Sequence, residues 1–482
     1  MMEQIVLSNI VSSSFIGYNP LWGDEKEDFT LFRVFKQPEI TETQETKETQ
    51  KPKAQKEPTS DEDDDDSDAT PFASITPSRS KPQSRATTPQ TEPAGDVKYI
   101  TEGHMHVSSL SWNSTGRLLA VSLGYLNHGG WCLHQGALQV YRVFTEGKQN
   151  DLFASETTAS CLMTVAAHPT KPTLFVGGTF SGDVIAFSYR SDQTENAESA
   201  SATITISKQQ SWTHHDPIAA VDWIPSGTGR PTDYIVSLGS DGLVLVWSLD
   251  NMLTTPVANF AIQSRSKNSF RYGGSCLSLS PTTPGLFLAG VENGPIFRGN
   301  LSHAPQWGQI VTLSSKGASE QATNAAEFEY VGHAGPTNAI SWGQGTYKHQ
   351  FVSVGADGML YMHGDWSKRP LFGTANGGCV SLDWSSRSAN LVCVGTSTGA
   401  LVLYTITPTG FNQHSSQTPS EPDTSAEDGQ SKKKGSKSKH TKQSKKAKPI
   451  YSVAFSNSNP FVACGDAAGT IYIYELPSSL ST

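Results

Sequence analysis

Between Ile235 and Leu249 the chain reads Ile-Val-Ser-Leu, Gly-Ser-Asp-Gly, Leu-Val-Leu-Val-Trp-Ser-Leu. The first run is apolar and β-branched, which suits a strand. Gly239-Ser240-Asp241-Gly242 supplies the reversal, because glycine takes positive φ without a Cβ clash and Asp tolerates it. Leu243 to Trp247 is apolar on both faces, as in a strand buried between two other sheets. A lone hairpin of this kind is marginal in water. The rest of the chain therefore has to supply its partners.

It does so by repeating the pattern. Inner-strand candidates end near Trp112, Ala167, Trp223, Leu279, Trp342, Trp384 and Phe455. Turn glycines follow at Gly136, Gly182, Gly242, Gly294, Gly358, Gly399 and Gly469. Most of these intervals are roughly 15 residues, and the two longer ones are explained by insertions. After each glycine comes a strand candidate: Ala137 to Val143, Asp183 to Phe187, Leu243 to Trp247, Pro295 to Arg298, Met359 to Met362, Ala400 to Tyr404, and Thr470 to Tyr474. The fourth is the weakest, since Pro295 removes a ladder donor. Seven such units predict an all-β fold, a seven-bladed β-propeller of the WD-repeat kind, over residues 96–476.

The repeat marks are eroded. A Gly-His pair opens two units, at Gly103-His104 and Gly332-His333, and the terminal Trp survives as Trp247. The third unit keeps the fullest set. His214 or His215, with Ser237, Asp241 and Trp247, is expected to form a hydrogen-bonded chain bracing one blade, a structural role. In other units the Trp position holds His363, Tyr404 or Tyr474. Only residues 477–482 follow the last unit as a C-terminal tail, too short for a further strand. Val97 to Thr101 precedes the first unit with no blade of its own. It is expected to become the outer strand of the seventh blade and so remove an open edge.

Composition changes the picture at the two ends of the argument. Apolar residues make up 36 % of the 482, low for a chain folded throughout. Residues 1–36 hold enough apolar and aromatic side chains (Ile5, Phe15, Trp22, Phe29, Phe32 and Phe35 among them) for a short partner-binding segment, but too few for a core. Residues 37–95 are rich in Thr, Glu, Gln and Pro with an acidic run from Asp61 to Asp66, and are expected to be a disordered tail. Residues 411–448, ending in two lysine clusters, are expected to be a disordered loop between the last two blades, with a solvated linker as the default and a nuclear-localisation or nucleic-acid role as the other reading.

The net charge is −9, unevenly placed. Residues 1–95 carry 10 basic and 18 acidic side chains, and residues 411–448 carry 9 lysines and 4 acidic ones. The body is left mildly acidic, which disfavours nucleic-acid binding by its surface. No apolar run of about 18 residues offers a membrane-spanning helix. Met1 to Phe15 has an acidic residue and no basic cluster, unlike a signal peptide. The six cysteines show no Cys-x-x-Cys spacing and are expected to be reduced core thiols in an intracellular protein, with neither metal nor other cofactor.

Three stretches could carry chemistry or recognition. Gly395-Thr396-Ser397-Thr398-Gly399 matches Gly-x-Ser-x-Gly, but that elbow needs a strand and then a helix. Both flanks here are strands, so Ser397 reads as turn chemistry and no catalytic residue is assigned. Carboxylates and histidines are scattered, and nothing supports an enzyme. The long first-blade insertion, Leu123 to Trp131, offers Tyr125, Asn127, His128 and Trp131. Either it forms a contact surface, or Trp131 folds back onto the blade. A metal role for His128 lacks partners in the sequence. In the tail, Thr43-Gln44, Thr49-Gln50 and Gln90-Thr91 sit in extended, Thr-rich segments that could add a strand to the edge of a small dimeric partner.

The layout resembles the dynein intermediate chains, most like the WD-repeat intermediate chains of cytoplasmic dynein-2. Gly124-Tyr125-Leu126-Asn127-His128-Gly129-Gly130-Trp131 is similar to the family's Gly-x-Leu-Asp-His-Gly-x-Trp. Ala167-His168-Pro169-Thr170 through Gly177-Gly178 and Ser181-Gly182 follows its second blade. Pro449-Ile450-Tyr451-Ser452-Val453 through Gly469-Thr470 follows its last. The resemblance covers about residues 97–476. The lysine loop departs from the family pattern, and so do the Thr-Gln sites, which lack a Thr after Gln.

The resemblance implies a non-catalytic subunit of the motor for retrograde intraflagellar transport. Its propeller would grip the dynein heavy-chain tail. Its N-terminal segment would collect dimeric light chains at the Thr43, Gln44, Thr49, Gln50, Gln90 and Thr91 sites, beside a second intermediate chain. Cytoplasm, cilium and axoneme, basal body and cytoskeleton would be its places. A general WD-repeat scaffold in another assembly, weakly favoured by the lysine loop, is the other class of function, and a propeller enzyme is disfavoured by the missing catalytic constellation.

Overall fold

The longest apolar runs become the middle strands of seven sheets, where both faces are covered. A computed structural model describes residues 29–37, 104–128, 130–144, 151–190, 200–210, 213–224, 233–263, 270–301, 323–324, 326–420 and 447–480. The first strand, β1 (Thr30–Phe35), belongs to the last sheet. The first blade is β2 (His106–Trp112), β3 (Leu118–Gly124), β4 (Gly136–Arg142) and β5 (Leu152–Thr158), and the second is β6 (Leu162–Ala167), β7 (Leu174–Thr179), β8 (Val184–Ser188) and β9 (Thr203–Ile206). The third is β10 (Ile218–Ile224), β11 (Tyr234–Gly239), β12 (Leu243–Ser248) and β13 (Ala258–Ala261). A two-residue strand, β17 (Thr323–Asn324), runs parallel beside β13. The fourth blade is β14 (Gly274–Leu279), β15 (Leu286–Val291), β16 (Ile296–Asn300) and β18 (Ala326–Tyr330). The fifth is β19 (Thr337–Trp342), β20 (Gln350–Gly355), β21 (Met359–Gly364) and β22 (Phe372–Ala375), and the sixth is β23 (Cys379–Trp384), β24 (Leu391–Thr396), β25 (Leu401–Thr407) and β26 (Gly410–Gln417). The seventh is β27 (Ile450–Phe455), β28 (Phe461–Asp466) and β29 (Ile471–Glu475), completed by β1.

The first strand of each sheet packs on the first strand of the next, all the way round, and β27 returns to β2. This is the expected seven-bladed propeller. The core is the set of layers between blades. Strands β3, β7, β11, β12, β15, β24 and β28 are buried along almost their whole length. Outer strands are wetter, as in β9, Thr-Ile-Thr-Ile, which has no fully buried residue.

The hairpin that defines the repeat turns where positive φ is needed. Gly242 sits at φ +72°, and a Cβ there would approach the Tyr272 carbonyl to 2.2 Å. Gly136 is the exception among the seven glycines: it begins β4 after the long insertion and is not at positive φ. Its role is proximity, since a Cβ on it would lie 2.4 Å from the Leu162 nitrogen. Pro295 falls in the turn before β16, so its missing N–H lies outside the ladder.

The closing strand differs from the expectation. Val97 to Thr101 lie outside the described residues, and the outer place in the seventh blade is taken by β1. β1 pairs antiparallel with β29, from Thr30 opposite Glu475 to Phe35 opposite Ile471. Phe29 and Phe35 are buried, and Phe29 meets Tyr474 edge-on with centroids 5.1 Å apart. Arg33 pairs with Asp151 at 3.0 Å, and Gln37 donates to the Met105 carbonyl at 2.8 Å. Gln417 donates to the Phe29 carbonyl at 2.6 Å. The strand therefore ties the seventh blade to both of its neighbours. The end of the segment read as a partner-binding stretch over 1–36 is blade structure.

The loop expected over 411–448 begins later. Phe411 to Gln417 belong to β26, the fourth strand of the sixth blade, which pairs with β25 from Leu401 opposite Gln417 onward. Its polar sequence suits an outer strand facing water. Phe411 anchors it against Phe372 at 5.1 Å and Tyr404 at 6.1 Å. Among the described residues no helix is long and apolar enough to cross a membrane.

Candidate functional site

The first blade carries the feature that the repeat does not explain. β3 ends at Gly124 and β4 begins at Gly136, and the described residues between them have no ladder of their own. Two glycines hold the base of this insertion against the second blade. A Cβ on Gly124 would lie 2.9 Å from the Cβ of Cys161, just as one on Gly136 would crowd Ser160 and Leu162. The insertion is thus pressed onto the segment that enters β6.

Its side chains divide in two. Tyr125 is buried, and its ring lies 4.6 Å from that of His134. His128 stacks on Phe180, 3.7 Å between centroids and 20° from parallel. Asn127 is exposed, and Trp131 is 91 % exposed, so the Trp does not fold back onto the blade. Leu133 is exposed beside it.

Beneath the exposed tip, His128, Cys132, His134 and Cys161 converge. One potential ligand atom from each lies within 4.8 Å of all the others. His128 Nε2 is 3.2 Å from Cys132 Sγ. The Cys161 N–H points at Cys132 Sγ, 3.4 Å away, and the Tyr125 N–H points at Cys161 Sγ, 3.2 Å away. Burial would raise the Cys132 thiol, but hydrogen bonding, led by the Cys161 N–H, holds it below its ordinary value. Burial pushes Cys161 up to about 12. Burial, then the neighbouring His134, lowers His128.

This gathering was not visible in the sequence. Its spacing is His-x-x-x-Cys-x-His followed, far downstream, by a Cys in the next blade, which matches no short metal motif. Cys132 and His134 stand close to His128 in the sequence, contrary to the reading that it lacked partners, and the fold adds Cys161. The plain reading of buried thiols describes Cys161, Cys276, Cys379, Cys393 and Cys464, while Cys132 is only half-buried.

The blade network is a separate arrangement. His214 Nδ1 bonds the Asp241 carboxylate at 3.0 Å, and its Nε2 meets Ser237 Oγ at 2.8 Å. Trp247 Nε1–H donates to the same Oγ at 2.8 Å. His215 is exposed and takes no part. A second network stands in the fifth blade. His333 bonds Asp357 at 2.8 Å and Ser353 at 2.9 Å, while His363 Nε2 lies 2.9 Å from Ser353 Oγ. The hydroxyl has one proton, which it gives to His333, so His363 must be the donor to Ser353. His363 is thus the stand-in for the Trp indole. Each network ties the segment that enters a blade to that blade's own strands and hairpin turn.

Ser397 occupies the exposed turn between β24 and β25, with Gly399 at φ +85°. No helix follows it, and the turn is the ordinary sixth-blade hairpin. Thr43, Gln44, Thr49, Gln50, Gln90 and Thr91 lie outside the described residues.

Comparison with known proteins follows the same lines. The family description "WD domain, G-beta repeat" matches residues 436–475. The human cytoplasmic dynein 2 intermediate chain 2 is 23 % identical over 397 residues, covering 78 % of this chain and 66 % of its own length. The mouse protein of the same name is 23 % identical over 394 residues, with the same shares. Mouse dynein axonemal intermediate chain 4 is 24 % identical over 312 residues, 60 % of this chain and 35 % of its own. The chain thus spans about two-thirds of the length of the dynein-2 relatives it matches. The resemblance to the dynein intermediate chains, most like those of dynein-2, is borne out.

Proposed function

We propose that this chain, related to the dynein intermediate chains, is a non-catalytic intermediate chain of a ciliary dynein-2 motor that serves retrograde intraflagellar transport. The observation that carries the reading is a similarity to a cytoplasmic dynein 2 intermediate chain that runs through 78 % of the chain, and so across the blades rather than over one repeat. A closed ring of seven sheets suits the task physically. It is a rigid platform whose rim loops can be varied without disturbing the core. In this reading the propeller grips the tail of a dynein heavy chain. The stretch containing Thr43-Gln44, Thr49-Gln50 and Gln90-Thr91 collects dimeric light chains. Several weak sites on one chain gain affinity on a dimeric partner through effective concentration. The complex works in the cytoplasm and the cilium.

Affinity purification of the full chain from ciliated cells tests this. Recovery of a dynein heavy chain with light chains is the expected result. Recovery of nuclear assembly factors without any dynein subunit would replace the proposal with a general WD-repeat scaffold. Parallel purification with Thr43, Gln44, Thr49, Gln50, Gln90 and Thr91 changed to Ala should lose light chains while keeping the heavy chain.

A further inference from the structure

We infer that His128, Cys132, His134 and Cys161 form a structural zinc site that pins the first-blade insertion to the second blade. This stands independently of the motor reading above. The donor set is two thiols and two imidazoles, and tetrahedral S2N2 sites select zinc among the common divalent ions. The geometry is of the right size. Around a tetrahedral zinc, with Zn–S about 2.3 Å and Zn–N about 2.0 Å, ligand atoms stand roughly 3.3 to 3.8 Å from one another. The four groups here are within 4.8 Å of one another, so a shift of less than about 1.5 Å closes the shell.

Three further features fit an ion rather than a chance cluster. Both sulfurs face backbone N–H groups, Cys132 that of Cys161 and Cys161 that of Tyr125, the contacts that stabilise metal-bound thiolates. Nδ1 of His134 is buried and has no hydrogen-bond partner, a cost that a metal bond would remove. The His128 ring is oriented by stacking on Phe180, whose N–H bonds the Cys161 carbonyl at 2.9 Å, so blade two fixes both sides of the site.

The insertion also needs such a tie. The described residues of 125–135 form no ladder and bury few side chains, yet they hold Trp131 out in water. Four protein ligands leave no open coordination position, so the ion would be structural rather than catalytic. On binding, Cys132 and Cys161 each release a proton to solvent and both histidines bind neutral.

The test uses the untagged full chain, purified without chelator from cells grown with zinc. Elemental analysis should find about one zinc per chain. Exchange with cobalt should give intense visible bands of a tetrahedral site together with a thiolate charge-transfer band. Cys132→Ser with Cys161→Ser should abolish both, while Trp131→Ala leaves both unchanged. The inference is overturned if the wild-type chain holds no stoichiometric metal, or if cobalt gives only the weak spectrum of an octahedral oxygen site. It also fails if the double variant retains the metal, or if peptide mapping under non-reducing conditions finds Cys132 and Cys161 joined as a disulfide. The cobalt spectrum of the wild-type chain decides the matter even where the double variant does not fold.

Discussion

Phe35 lies flat on Tyr141, with ring centroids 4.6 Å apart and planes 16° from parallel. One residue ends the closing strand and the other stands in the first blade, so the stack seals the seam of the ring. On the other side Phe29 packs edge-on against Tyr474 of its own blade and shares a buried cluster with Leu391 and Leu403 of the sixth blade. Phe→Ala at a buried position costs about 3–5 kcal/mol. Phe29→Ala and Phe35→Ala are each expected to lower stability by that amount, read as a shift in urea midpoint. A chain lacking residues 1–37 leaves β29 as an open edge and should melt lower and self-associate. A peptide of residues 28–37 should restore it. A shortened chain as stable as the full one would show that β1 does not close the ring.

Ser237 and Ser353 are each the meeting point of two buried rings. Removing a hydroxyl leaves both partners unsatisfied, which costs about 1–3 kcal/mol per orphaned group. Ser237→Ala strands His214 Nε2 and Trp247 Nε1, and Ser353→Ala strands His333 and His363. Each substitution should shift the denaturant midpoint without changing its slope. His215→Ala, beside the network but outside it, should leave the midpoint within about 0.5 kcal/mol of wild type.

Acid should weaken the fold through the fifth blade. Burial, and then the nearby His333, pulls His363 down to about 3 from an ordinary value of 6.5. Between those values the unfolded chain takes up a proton that the folded chain refuses. The contribution of His363 is therefore fully present above pH 6.5 and is lost as pH drops toward 3, by at most about 1.4 kcal/mol per pH unit. Burial lowers His333 as well, against the pull of Asp357. Tyr330 and Tyr361 are the other titratable groups beside His363, and neither changes charge in this range. His363→Gln keeps an N–H donor and does not titrate. Its melting temperature is expected to fall less steeply between pH 6.5 and 4 than that of the wild type. An unchanged slope would place the acid sensitivity elsewhere.

The ring was legible because its signal is local and repeated. Trp112, Trp342, Trp384 and Phe455 end their strands where the sequence places them, since each terminates an alternating or apolar run next to a turn. The closing strand was not. Val97 to Thr101 and Thr30 to Phe35 are both short and strand-like in sequence, both lie far along the chain from β29, and sequence gives no means to rank one distant pairing over the other. The favouring contacts, Phe35 on Tyr141 and Arg33 with Asp151, exist only once the ring has formed. β26 was hidden for another reason: a strand with one wet face at the rim, Phe-Asn-Gln-His-Ser-Ser-Gln, has the composition of a loop. Three members of the Cys132 cluster stand within one short stretch, but the fourth, Cys161, comes from the entry to the next blade and could not be paired with them by spacing. Local spacing carries information about turns, not about which blade edges will touch.

Trp131 is where recognition by the propeller is expected to concentrate. A Trp left 91 % exposed gains nothing from the fold, and Leu133, two residues on, is exposed as well. Aromatic side chains held on fixed loops are the usual anchors of protein interfaces. The base of this loop is fixed by the contacts of Gly124 and Gly136 with residues 160–162, so little ordering would be lost on binding. Trp131→Ala should therefore leave the melting temperature unchanged, because no core contact is removed. It should weaken capture of a dynein heavy-chain tail by about 30-fold, the effect of losing a 2 kcal/mol anchor. Titration of the purified full chain with a heavy-chain tail fragment gives the number directly. Equal affinity of the variant and the wild type would assign the heavy chain to another part of the ring, and the exposed Trp to a different partner.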